Sequence, residues 1–269
     1  MKRIGLIGFG AIGRSVATTL LARSSPRICL VCVLTRPGQQ LQDASALLPG
    51  VRVSDNLDDF LDADPCTVVE AAGHESVHEY GEAVLGAGCN LYILSSGALA
   101  DDERTARLTA AALRGGTWIS IPGGALAGFD GLMSLKASGL ESVTYVSTKP
   151  PRAWLGTVAA DEHDLENLGG RRIVFEGTAR QAALKYPRNA NLAASVALAG
   201  LGLDKTWVRL VADPAIDGNS GVIFAKSRHG ELEASLVGAA DPANPKTSEI
   251  TAYSIIAAIE NSENTIRLF

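Results

Sequence analysis

Short, unbroken apolar runs alternate with stretches of helical periodicity through the first part of the chain. Residues 3–8, 28–34, 51–53, 67–70, 90–94 and 118–121 read as strands. The run at 28–34, Ile-Cys-Leu-Val-Cys-Val-Leu, shows no polar alternation, the pattern of a parallel strand covered on both faces. Helices are predicted at 11–23, 57–62, 76–87 and 101–114; in the first, Ile12, Val16, Leu20 and Leu21 share one face. This strand–helix repetition argues for a doubly wound parallel sheet. The texture changes after Pro122-Gly123-Gly124. Strands are predicted at 140–148, 171–178, 206–213, 221–226 and 231–237, with helices at 125–138 and 188–201, as in a smaller, mostly antiparallel α+β region. Asn244-Pro-Lys-Thr-Ser-Glu reads as the start of a last helix running to about residue 260, with Thr247 or Ser248 as its cap.

Composition narrows the classes. The 269 residues are 46% apolar, 20% charged and 5% aromatic, enough for one large or two modest cores and too apolar for a disordered chain. A net charge of −5 gives no global basic field for nucleic acid or an anionic membrane. No stretch approaches the ~20 apolar residues of a membrane span. Cys29, Cys32, Cys66 and Cys89 sit in or beside apolar runs, as buried thiols of a reducing cytoplasm would. Cys29 and Cys32 have metal-like spacing but would point to opposite faces of a strand, no second ligand pair exists, and no metal is expected.

Gly8-Phe9-Gly10-Ala11-Ile12-Gly13 is a G-x-G-x-x-G string that follows a predicted strand and opens a predicted helix, the context that gives it meaning. Gly8 permits the tight turn, Gly10 lets a pyrophosphate approach the backbone, and Gly13 lets helix and strand pack closely. Backbone N–H groups around Ala11 and Ile12 then face the phosphates. An acidic residue about 20 positions on would bind the ribose 2′-hydroxyl of NAD; strand two instead ends in Thr35-Arg36, and the first acid in the chain is Asp43. Thr35 and Arg36 suit a 2′-phosphate, so NADP or either nucleotide is expected.

Further strings follow in order: Ala71-Ala-Gly-His74-Glu-Ser-Val77, Ser96-Gly-Ala-Leu-Ala100, Ile121-Pro-Gly-Gly-Ala-Leu-Ala-Gly-Phe-Asp130, Lys149-Pro-Pro151, Tyr186-Pro-Arg-Asn-Ala-Asn191, Asp213-Pro214 and Asn244-Pro-Lys-Thr-Ser248. With the glycine turn they make the chain resemble the L-aspartate dehydrogenase family over nearly its whole length. The resemblance implies an α/β fold: a Rossmann doubly wound sheet with a second, smaller α+β domain. It assigns residues 1–122 to dinucleotide binding, completed by a C-terminal helix at 241–269, and 123–240 to substrate binding and dimerisation. It implies a homodimer that oxidises L-aspartate with NAD or NADP to iminosuccinate, and then oxaloacetate and ammonia. Its nucleotide contacts fall on Ala125 and Asn191.

One position departs. The family's catalytic histidine lies in an Asn-x-His-x-Ile string soon after Asp-Pro; here the string is Asn219-Ser-Gly221-Val-Ile223, so the resemblance puts Gly221 in the histidine's place. A general base of this kind is worth ~10²–10⁴-fold in rate. Among the four histidines, His74 follows a strand end where ligands bind in such sheets, with Ala72 and Gly73 beside it as cofactor contacts; His78, His163 and His229 read as structural or surface residues. His74 and Lys149 are the remaining catalytic candidates. Arg188, Asn189 and Asn191 are the candidates for the substrate carboxylates, with Lys185 and Arg152 as further cations. Three readings stay open: an amino-acid dehydrogenase, an imine reductase or amine dehydrogenase of shifted substrate, and a nucleotide-binding protein that has lost its base.

Overall fold

The computed structural model describes residues 1–241 and 244–268; within 240–247 only the backbone is described. The chain divides into two compact units, one formed by Met1–Pro122 with Ala252–Leu268 and the other by Gly123–Thr251.

The first unit runs β1 (Lys2–Ile7), α1 (Ala11–Arg23), β2 (Ile28–Leu34), α2 (Gln39–Leu47), β3 (Arg52–Ser54), α3 (Leu57–Leu61), β4 (Thr67–Glu70), α4 (His74–Gly86), β5 (Asn90–Ile93), α5 (Asp102–Gly115) and β6 (Ile119–Ser120). Its six strands lie in the order β3-β2-β1-β4-β5-β6, every pair parallel. The order reverses between β1 and β4, the switch point at which such sheets open a crevice. In this unit α2 and a 3-10 turn at Ser96–Ala100 went unpredicted; the Gln-Gln-Leu-Gln-Asp-Ala-Ser-Ala-Leu string of α2 carries a weak apolar face and buries Ala44 alone.

One sheet face is closed by α1 and by a helix from the far end of the chain, α10 (Ile250–Glu263). Ala252, Ile255 and Ile259 join Ile4, Leu6, Val16, Leu20 and Leu30 in one core. Polar ties fix the helix in place: Lys2 Nζ donates to Ser262 Oγ at 2.6 Å and pairs with Glu263 at 2.9 Å, while Arg23 pairs with Glu260.

The second unit holds α6 (Phe129–Ser138), β7 (Leu140–Lys149), α7 (Val158–Glu162), β8 (Arg172–Thr178), α8 (Ala179–Lys185), α9 (Asn191–Ala199), β9 (Trp207–Ala212), β10 (Asn219–Ser227), β11 (Gly230–Gly238), β12 (Ala240–Asp241) and β13 (Asn244–Ser248). The main sheet has the order β11-β10-β7-β9-β8, antiparallel except for β7 with β9. Trp154, fully buried, donates to Val211 O at 3.2 Å and meets Tyr186 edge-on at 6.0 Å; Tyr186 in turn donates to Val174 O.

Several expectations are corrected here. The 244–248 segment is a strand paired with β12, and the last helix begins at Ile250. Ser248 Oγ donates to Ala239 O at 3.2 Å instead of capping that helix, and the Thr247 side chain lies outside the described residues. The segment 241–251 accordingly groups with the second unit, not with the first as expected. The helix expected at 125–138 starts only at Phe129, because Gly124 (φ +61°) and Gly128 (φ +81°) hold the preceding loop in left-handed backbone.

A wholly buried carboxylate joins the ends of two central strands. Glu70, the last residue of β4, accepts from Ala72 N and Gly73 N at 2.7 Å each, and from Ser95 N at 3.1 Å and Ser95 Oγ at 3.0 Å. Burial raises its pKa above the ordinary carboxylate value of 4.5, and the four donors oppose that rise. A native pKa above the unfolded one means that this group favours the native state most below about pH 4.5, and that its contribution declines as pH rises through the native value. Glu70→Gln sets an amide N–H against Ser95 N–H and is expected to destabilise by about 1–3 kcal/mol, with the deficit relative to wild type shrinking from pH 5 to pH 8. Urea unfolding across that range checks it; a pH-independent deficit would contradict the assignment.

Candidate functional site

The glycine turn packs where β1 and β4 end. Gly8 has φ +100°, and a Cβ on it would lie 2.7 Å from the Ala72 Cβ, so neither its conformation nor its surroundings admit a side chain. A Cβ on Gly13 would collide with the Gly8 carbonyl oxygen. Gly10 differs: no atom lies within 4 Å of a Cβ placed on it, and its backbone is extended. The turn therefore holds a glycine that packing does not require, at the uncapped N-terminus of the 13-residue helix α1. Open space in front of free helical N–H groups is what a dinucleotide pyrophosphate needs. Ala11 and Ile12 form the first turn of that helix.

At the end of β2, Thr35 is buried and its hydroxyl donates to Arg36 O at 2.9 Å, which leaves Arg36 as the exposed member of the pair. Asp43, the nearest acid along the chain, is engaged by Arg14 at 3.3 Å and by Gln39 at 2.7 Å. Beyond β4, the Ala72 and Gly73 N–H groups expected to meet cofactor both donate to Glu70, so any contact from this turn must come through other atoms. Glu70 itself gave no signal in the sequence beyond ending an apolar strand. His74 opens α4, half-buried. His78 is spoken for by Ala98 O at 3.1 Å and by Arg104. His229 sits exposed in the β10–β11 turn, its Nε2 accepting from Arg228.

In the second unit the Gly123–Leu126 loop packs on the start of α9: a Cβ on Gly124 would lie 2.8 Å from Leu192 Cδ2. Two motifs 66 positions apart, Ala125 and Asn191, are thereby brought together, Ala125 buried and Asn191 half-buried as the first residue of α9. Lys149 ends β7 at 6% exposure, with its ammonium 5.8 Å from the Trp154 ring centroid. The expected carboxylate donors fare unevenly. Asn189 is buried and its amide nitrogen donates to Ala153 O at 3.0 Å, tying its turn to the 151–154 segment, while its Oδ1 has no partner. Lys185 pairs with Glu162 at 2.8 Å, and Arg152 donates to Asp217 O at 2.8 Å. Arg188 is exposed in the turn before α9.

Gly221, where the resemblance expects an imidazole, is buried in β10 opposite Ser147 of β7. A Cβ there would stand 2.9 Å from Tyr145 Oη and 3.1 Å from Leu126 Cδ2. Tyr145 was not among the expected site residues; its place in the alternation Val143, Tyr145, Ser147, Lys149 marks it as facing inward, and nothing in the sequence says that it faces Gly221. No group of three or more His, Cys, Asp or Glu among the described residues could hold a metal, and no described helix is long and apolar enough to cross a membrane.

A parallel sheet with a glycine turn at its switch point, followed by a separate mixed sheet, defines a two-unit protein of the Rossmann dehydrogenase class. Residues 8–122 match the family described as "Homoserine dehydrogenase, NAD binding domain", and residues 130–262 the family described as "Aspartate dehydrogenase, C-terminal". The chain is 40% identical to an L-aspartate dehydrogenase of Cupriavidus necator over 100% of both chains, and 43% identical to L-aspartate dehydrogenase 2 of Bordetella pertussis, covering 96% of this chain and 95% of that one. The crystal structure of aspartate dehydrogenase from Thermotoga maritima superposes with a TM-score of 0.77 at 28% identity, covering both chains completely. The chain belongs to the L-aspartate dehydrogenase family, and with that membership it is an oxidoreductase that uses a nicotinamide nucleotide.

The glycines separate fold from binding. Gly8→Ala is expected to destabilise by at least about 1–2 kcal/mol through its left-handed backbone alone. Gly10→Ala should leave stability within about 0.5 kcal/mol of wild type while weakening nucleotide binding at least ~10-fold by filling the space in front of α1. Chemical unfolding and nucleotide titration of the two variants check this; equal nucleotide affinity in Gly10→Ala would mean the pyrophosphate lies elsewhere.

Proposed function

We propose that this protein is an NAD(P)-dependent dehydrogenase of L-aspartate or a closely related dicarboxylic amino acid, interconverting it with the 2-imino and 2-oxo acid and ammonia. The observation that carries the reading is the end-to-end match to L-aspartate dehydrogenases together with a glycine turn whose packing and open space suit a dinucleotide. The bound nucleotide supplies the hydride acceptor or donor. This chain's own residues do the rest. The α1 N-terminus and Gly10 hold the pyrophosphate and Glu70 keeps the Ala72–His74 turn rigid; the family resemblance adds Ala125 and Asn191 as further nucleotide contacts. Lys149 supplies positive charge for a substrate carboxylate, with Asn191 and the exposed Arg188 as further donors. His74, at the mouth of the β4 turn, is retained as a candidate for proton handling. Positioning is worth up to ~7–11 kcal/mol of barrier and exceeds what a general base provides, so a glycine at position 221 is compatible with turnover.

Arg36 favours NADP through its fit to a 2′-phosphate. Four free cysteines accord with a cytoplasmic protein. A homodimer follows the family, and the outward face of the second sheet offers Trp207, Phe224 and Val237 for one.

Oxidation of NADPH with oxaloacetate and ammonia tests the activity. Wild type is expected to turn over, and a protein that binds nucleotide but reduces only other imines would shift the reading to an imine reductase. Arg36→Glu is expected to raise KM for NADPH ~10-fold or more while leaving NADH little changed; parallel losses with both nucleotides would remove Arg36 from the 2′-phosphate site.

A further inference from the structure

Two buried side chains on the inner face of the second sheet carry polar groups that lack a well-formed hydrogen bond. β10 buries every second residue, Asn219, Gly221, Ile223, Ala225 and Ser227, and so turns them to the same face as Tyr145 of the neighbouring β7. Tyr145 is 1% exposed and its hydroxyl, which feels the Ser147 side chain, makes no hydrogen bond of normal geometry; Asn219 is 8% exposed and neither amide atom has a partner. A buried hydroxyl or amide left unpaired is penalised, and most native proteins avoid it. Here three such atoms fall within two positions of Gly221 along one face. Asn189 Oδ1 and Thr206 Oγ1 of the same unit also lack partners, but only around Gly221 do such atoms come from two side chains on one sheet face; the buried Trp154 and Tyr186 each find a carbonyl.

Gly221 is what gives the phenol its place. Any side chain at 221 would begin 2.9 Å from Tyr145 Oη and press on Leu126. The pair is coupled: a glycine at one position and a tyrosine reaching toward it from the other strand. Asn219 precedes the Ser220–Thr148 pair on β10 and Lys149 follows it on β7, so the buried lysine brings positive charge to the same end of the sheet. Donor hydroxyl, amide and cation together match an anionic ligand that also carries an acceptor atom.

We propose that Tyr145 Oη and the Asn219 amide form a substrate-binding site of this chain, and that they take a small dicarboxylate through the oxygen or nitrogen on its second carbon. The assignment rests on the dehydrogenase reading above and names the substrate contacts of that same site. Burial holds the Tyr145 phenol far above its ordinary pKa, against the opposing effect of the Ser147 side chain, so at neutral pH the hydroxyl keeps its proton and can donate. Tyr145 is thus a specificity-determining residue that Gly221 makes room for.

The test separates binding from stability. Tyr145→Phe keeps the ring and removes only the unpaired hydroxyl, so its melting temperature should equal or exceed that of wild type. In the presence of NADP⁺, calorimetric titration with malate, a stable 2-hydroxy dicarboxylate, should show at least ten-fold weaker binding to the variant. A hydroxyl that merely supported the fold would give the opposite pattern, a lower melting temperature with malate affinity unchanged. Gly221→Ala, whose methyl displaces the hydroxyl, should weaken malate binding in the same way and serves if the phenylalanine variant fails to fold. Unchanged malate affinity in the variants, or no malate binding by wild type, overturns the assignment. Hydroxyl-dependent malate binding without turnover of oxaloacetate leaves the assignment standing and removes the aspartate reading instead.

Discussion

No side chain fits between β1 and β4 where their carboxyl ends meet. Gly8 is pressed against Ala72, and Gly13 against the carbonyl of Gly8, so helix α1 starts as close to the sheet as backbone allows. From that approach the rest of the nucleotide unit follows. The strand order reverses there, and the uncapped end of α1 is aimed at the opening. The next turn, at Ala72–Gly73, has to be held against Gly8 from the other side. Glu70 does this with a carboxylate that has no access to water, bonding its own turn and that of β5 together. Such a group is tolerable only because its donors are in place. The crevice is thus shaped by two kinds of exclusion, of side chains at the glycines and of solvent at the glutamate.

The second unit solves a different problem. Its sheet has one covered and one open face, and the covered face is apolar around Trp154 and Tyr186 but polar where β7 and β10 run together at Lys149, Ser147 and Asn219. A sheet stabilised only by packing would place aliphatic residues there. The polar end is a local departure from packing logic of the kind that functional sites show.

Much of the first unit was readable from sequence because continuous apolar strands and a glycine string in the right setting leave few alternatives. Helix α2 escaped because it buries so little, and Glu70 because a carboxylate at a strand end ordinarily reads as solvated. In the second unit the strands alternate, so their faces could be read, but which inward residue meets which depends on register between strands 75 or so positions apart, as with Gly221 and Tyr145. Asn244-Pro-Lys-Thr-Ser has the look of a helix start; pairing with β12 overrode that local preference. The amide of Asn189 looked like a free donor and is engaged by Ala153, a contact that only the folded turn creates.

Helix α10 belongs to the first unit yet is made last. Its Ala252, Ile255 and Ile259 cover strands that were complete by residue 122, roughly 130 positions earlier. At 5–20 residues per second of synthesis, that delay is on the order of ten seconds. Throughout it, the nascent sheet presents Ile4, Leu6 and Leu30 to the surroundings with part of their cover not yet made. The fold therefore implies a period of exposure on the ribosome in which the early sheet must be shielded or kept from pairing with its neighbours, and its cooperative locking awaits the segment that follows the whole of the second unit.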